Sequence, residues 1–163
     1  MAMLATRAHA IGSLFTSRRT SRAASGADGI SGVEGYTIKP LKTEAELEAE
    51  RIFLSTALST WLDEEWTVLP EHQRLGKAAA EAYVALRRGG DDDMGSVVLS
   101  LASELLRPEL SAAFHASFTG PFDVANKLVE MVMMRDGCDV CCTSPADRER
   151  IDRVNTLLSS GSM

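Results

Sequence analysis

Prolines and helix-capping residues divide this chain into segments with helical apolar spacing, and that punctuation limits it to a bundle of helices. Of the five Pro, Pro70 and Pro145 fall at first-turn positions, where the missing N–H costs nothing. Pro108 and Pro121 each separate one apolar run from the next. Pro40 ends the short alternating stretch Tyr36-Thr37-Ile38-Lys39, which reads as an extended arm. No stretch approaches the ~20 consecutive apolar residues of a membrane-spanning helix, so no integral membrane segment is expected.

A first helix is expected from Thr43 to about Glu65, opened by a Thr43–Glu46 capping box. Leu47, Leu54, Leu58 and Trp61 form its apolar face, with Phe53 and Ala57 flanking. The Pro70 helix carries Leu75, Ala79, Ala82, Tyr83 and Leu86 and ends at Gly89-Gly90. Asp93 caps a third helix, in which Val97, Val98, Leu99, Leu101, Ala102, Leu105 and Leu106 leave almost no polar face. A helix apolar nearly all round is expected at the centre of the fold. A shorter helix after Pro108 presents Leu110, Phe114 and Phe118. Another from Phe122 to Arg135 turns Val124, Ala125, Leu128, Val129 and Val132 inward and stops at Gly137. The last, capped by Ser144, presents Ile151, Val154, Leu157 and Leu158. The fold class is therefore all-α: a compact bundle of five or six helices after a disordered N-terminal segment and a short arm. Residues 1–35 are assigned to targeting and linker, 36–159 to a single helical domain, and 160–163 to a frayed tail.

Residues 1–27 contain no Asp or Glu, while Arg7, Arg18, Arg19 and Arg22 stand among Ala, Ser and Thr. Arg-rich, hydroxyl-rich and acid-poor composition marks an organelle transit peptide. The segment resembles plastid targeting sequences, which implies the chloroplast stroma or the thylakoid periphery; a mitochondrion is the alternative. Residues 28–163 hold thirteen Lys and Arg against twenty-three Asp and Glu, a net charge of −10. A body that acidic repels phosphate backbones, so nucleic acid is not an expected partner.

Few residues suggest chemistry. His72 and His115 lack a Glu three positions earlier, which removes the di-metal bundle motif. Phosphate-binding loops and the serine-hydrolase elbow are also missing from the sequence. Asp91-Asp92-Asp93 reads as a solvated helix start rather than a calcium loop. His72 is expected to be exposed, and His115, between Phe114 and Phe118, to pack at least partly inward. Cys138, Cys141 and Cys142, all three cysteines of the chain, are spaced for thiol exchange or metal binding. A zinc site there would need a fourth ligand from His72, His115, a carboxylate or a second subunit. The competing expectation is three unreactive thiols in a reduced compartment. Trp66 lies beyond the apolar stripe of its helix and Met133 opposite that of its own, which makes both candidates for partner contact.

These readings favour a non-catalytic organellar protein without a cofactor, acting as assembly factor, adaptor or accessory subunit with a protein partner. A redox- or metal-responsive regulator using the cysteine loop is the alternative.

Overall fold

The computed structural model describes residues 37–138 and 144–161, which belong to one compact unit. They form six helices: α1 (Glu44–Glu65), α2 (Pro70–Arg88), α3 (Met94–Leu105), α4 (Pro108–Ala116), α5 (Pro121–Arg135) and α6 (Pro145–Ser159). The all-α bundle is thus the observed fold, with no strand among the described residues beyond the single bridge Thr37–Asp93.

Local chemistry sets the helix starts. Thr43 Oγ1 accepts from the Glu46 N–H at 3.1 Å, and the Glu46 carboxylate accepts from the Thr43 N–H at 2.9 Å. Asp93 caps α3 by accepting from the Ser96 N–H at 2.8 Å. The Asp123 carboxylate holds the Gly120 N–H at the head of α5. Ser144 and Asp147 form the reciprocal pair at α6. At the end of α5, Gly137 takes φ +81, which lets the Cys138 N–H reach back to the Met133 carbonyl at 2.9 Å.

The four-residue connection 66–69 folds α1 and α2 back on one another as an antiparallel pair. Glu44 meets Arg88 at one end of the pair, and Asp63 meets His72 at the other. Between them Gly76 leaves no room for a side chain. A Cβ there would stand 2.5 Å from Ser59 Oγ and 2.7 Å from the Ser55 carbonyl oxygen. This approach lets Phe53, Leu54, Leu58 and Leu62 meet Leu75, Ala79 and Tyr83 in one buried layer.

The centre of the bundle is this α1–α2 pair rather than α3. α1 packs against α2, α5 and α6, and α2 against α1, α3, α4 and α5, whereas α3 touches only α2 and α5 among its larger contacts. α3 buries Val97, Leu101, Ala102 and Leu105 but leaves Leu99 63% and Leu106 64% exposed. A helix of only 12 residues lies along the outside of two longer ones, so its full apolar circumference finds no cover among the described residues. Leu157 on α6 is likewise exposed.

The arm follows the surface in extended form. The Ile38 N–H donates to the Asp92 carbonyl at 2.9 Å, and the Ile38 side chain is buried. Buried Arg87 donates through Nη2 to the Lys39 carbonyl at 2.6 Å. Tyr36, the first residue of the expected arm, lies outside the described residues, as do residues 1–35.

Candidate functional site

Three places gather polar or exposed apolar side chains. The first is the turn from α4 to α5. The Ser117 N–H bonds back to the Ala113 carbonyl and the Thr119 N–H to the Phe114 carbonyl, which makes Phe118 the left-handed residue that ends α4. Glycine ordinarily holds such a position, because a side chain there crowds the backbone. Phe118 occupies it at φ +50 and is 77% exposed. The ring stands 6.0 Å from that of Trp66, centroid to centroid and tilted by 37°. Trp66 is the C-cap residue of α1 and is itself 51% exposed. Val68 in the same connection is also exposed, as is Phe122 at the head of α5.

Acidic residues border this aromatic pair. α1 ends in Asp63-Glu64-Glu65 with no basic residue in its last turn. That places carboxylates at the negative end of the helix dipole. Two of them are partnered: Glu64 accepts from Arg150 at 2.7 Å and also from Arg153, which ties α6 to α1. Asp63 Oδ1 faces His72 Nδ1 at 2.6 Å. Glu65 is exposed and Glu71 half-buried, on either side of the 66–69 connection.

The second place is that His–Asp pair. His72 is fully buried, against the expectation of an exposed residue. The first turn of α2 lies directly against the end of α1, so the ring is covered by tertiary packing that Glu71 beside it does not foreshadow. Its Nε2 has no hydrogen-bond partner. Ser59 is close by, but its hydroxyl donates to the carbonyls of Ser55 at 2.8 Å and His72 at 3.3 Å, not to the imidazole. The geometry in which a histidine takes a serine proton is therefore not formed. Thr56 and Thr60 likewise donate to carbonyls one turn earlier in α1.

The third is a cleft of about 300 Å³ between the arm, α1, α2 and the end of α5. Lys39, Glu50, Tyr83, Arg135 and Asp136 are among its lining residues. Glu50 is buried and ion-paired with Arg135, whose guanidinium stacks 4.2 Å above the Phe53 ring. Burial pushes the Glu50 carboxyl above its ordinary value of 4.5; the Arg135 charge opposes that rise and the Asp136 charge adds to it. The folded state then holds this proton more tightly than the unfolded chain. Glu50 accordingly favours folding at pH values below 4.5, and the contribution is lost as pH rises through the folded value. Glu50→Gln is expected to flatten that part of the stability–pH curve, measured by urea denaturation between pH 4 and 7. An unchanged slope would show that Glu50 is solvated in the folded protein.

Other expected site residues lie elsewhere. His115 is exposed rather than packed, because α4 turns Leu110, Ala113 and Phe114 to the core and leaves position 115 facing outward. Met133 is half-buried and packed against the core, so little of it is offered to a partner. Trp61 packs on the core as its spacing predicts, with the Lys127 ammonium 5.6 Å from its ring centroid. Cys138 is half-buried, while Cys141 and Cys142 lie outside the described residues. No group of three or more His, Cys, Asp or Glu suited to a metal occurs among the described residues. Sequence reasoning missed Phe118 as a surface residue and the His72–Asp63 pair. The nine-residue separation of the latter, across a helix end, Pro70 and a helix start, was its one available signal.

No curated protein and no solved structure matches the chain. A family match covers residues 35–136, from the arm through α5, and thus takes in the aromatic pair, the buried histidine and the cleft, while Cys138 and α6 follow it. Over that span, which is more than half its length, the chain belongs to the family described as domain of unknown function DUF8822.

Proposed function

We propose that this protein is a non-catalytic helical adaptor that docks a partner protein through the Trp66–Phe118 face. The observation that carries the reading is Phe118: a large apolar ring placed in solvent at a glycine-type backbone position. A non-glycine residue in that conformation costs about 1 kcal/mol or more. Such a cost is retained where the exposed side chain has work to do. Trp and neighbouring aromatic rings are favoured anchors of interfaces. The carboxylates of exposed Glu65 and half-buried Glu71 select a partner segment whose apolar residues are flanked by Lys or Arg. Residues 1–35 would deliver the protein to a plastid, with the mitochondrion as the alternative destination. A fluorescent reporter fused behind these residues tests that part of the reading.

Phe118→Gly separates function from fold. It should stabilise the bundle by about 0.5–1 kcal/mol, because glycine is relaxed at this φ. The same change should weaken partner capture from an organelle extract by tenfold or more. Thermal denaturation and quantitative capture on the same samples read both effects. Capture that is undiminished by Phe118→Gly and by Trp66→Ala would refute docking at this face.

A further inference from the structure

The cleft between the arm, α1, α2 and the end of α5 lies well away from the Trp66–Phe118 face. Glu50 in its wall and Trp66 are sixteen residues apart on α1, about 24 Å along the axis. At about 300 Å³ it is of the size that takes a small molecule. Pro40, Leu41, Ala49 and Val132 supply apolar sides. The polar groups differ in what they have to bond. Glu46 closes the capping box at the head of α1. Arg135 is taken up by Glu50 and by the Phe53 ring, and it engages only Oε2 of the Glu50 carboxylate. Among the described residues, neither the Asp136 carboxylate nor the Tyr83 hydroxyl has a hydrogen-bond partner. Tyr83 is only 1% exposed, and a phenol buried that deeply ordinarily finds a partner.

We infer that this cleft binds a primary alkylammonium ion, its nitrogen held by Asp136, Glu50 and Tyr83 and its chain laid against Leu41 and Val132. Charge decides the ligand. Of the side chains lining the cleft, Glu46, Glu50 and Asp136 outnumber Lys39 and Arg135 by one. Asp136 is also the C-cap of α5, where a carboxylate meets the negative end of the helix dipole. Burial raises the Tyr83 phenol above its ordinary value; the Arg87 charge opposes that rise, and the Glu50 and Asp136 charges add to it. The hydroxyl thus stays protonated and stands in the field of both carboxylates. An ammonium group carries three donors and no acceptor. It can meet Glu50 Oε1, the Asp136 carboxylate and the Tyr83 oxygen together, and it supplies the missing positive charge. An anion would add to the excess negative charge, and a neutral alcohol would leave it unanswered. Free amines and the side chain of a peptide lysine both present this group.

Amide NMR spectra of the isotope-labelled full chain, titrated with n-butylammonium chloride, test this. The expected result is saturable shifts at Leu41, Glu50, Val132 and Asp136, with half-saturation at about 0.1–10 mM for so small a ligand. Butyrate and n-butanol, the same chain with an anionic and a neutral head, should give no saturable shift in that range. Asp136→Asn, a change at an exposed residue, should raise the dissociation constant about tenfold. Tyr83→Phe keeps the ring in the core and should raise it about fivefold; thermal unfolding checks that both variants are folded. Nα-acetyl-lysine methylamide separates the two sources. If it shifts the same amides, the ammonium is one a peptide can supply; if only butylammonium does, the ligand is a free amine. Shifts that never saturate, n-butanol binding as well as the amine, or undiminished binding by both variants overturns the inference.

Discussion

Gly76→Val is expected to be the most damaging single substitution in this protein, lowering stability by about 3–5 kcal/mol. The Cβ alone would lie 2.5 Å from Ser59 Oγ and 2.7 Å from the Ser55 carbonyl oxygen. The serine hydroxyl can rotate away. The carbonyl is part of the α1 backbone and cannot, so α1 and α2 must separate by several tenths of an ångström. Separation loosens the layer formed by Phe53, Leu54 and Leu58 with Leu75 and Ala79, all of them fully buried. Gly76→Ala should be milder, because alanine recovers about 1 kcal/mol of helix propensity. Thermal unfolding reads the difference at roughly 4 °C per kcal/mol for a domain of this size. A valine variant within about 1 kcal/mol of wild type would mean that the two helices are not in close contact at this point.

His72→Ala should cost about 2–4 kcal/mol, through lost packing and the lost bond to Asp63. The imidazole is fully buried, and its Nδ1 faces Asp63 Oδ1 at 2.6 Å. His72→Phe restores most of the volume and removes the unpartnered Nε2, so its loss should be nearer 1 kcal/mol. Because the pair bridges the two ends of the 66–69 connection, the alanine variant should also loosen Trp66. Intrinsic tryptophan fluorescence in a Trp61→Phe background would follow it. If the alanine variant matches wild type in urea denaturation, the histidine contributes only polarity and no structure.

Helix boundaries were the most legible part of the sequence. Thr43 with Glu46, Asp93, and Ser144 before Pro145 announce helix starts through bonds made within four residues, so no knowledge of the rest of the chain is needed. The all-α bundle follows from these signals and from the apolar spacing. Placement of α3 was not legible, because apolar content reports only that a helix seeks cover and not whether the fold supplies it. His72 was misjudged for a related reason: burial of a first turn depends on which helix end lies against it. Phe118 was hidden differently. Gly120 offered an obvious break two residues later, while the left-handed turn was made by a residue type that seldom adopts it. Trp66 stood out beforehand because it falls past the end of the α1 stripe, although nothing local identified Phe118 as its neighbour.

The arm is part of the packed fold. Helix assignments alone would place the start at Thr43, and a chain cut there would retain all six helices. It would also lose Ile38, whose buried side chain closes part of the core, and the Lys39 carbonyl, which accepts from Arg87. Arg87 already has Nε and Nη1 without hydrogen-bond partners. Removing the arm would leave its guanidinium with Asp92 as the remaining polar contact and would take one wall from the cleft around Glu50. The bundle therefore depends on contacts made ahead of α1, and the family match likewise opens before that helix, at residue 35. A buried cation holds this extended backbone against the helices.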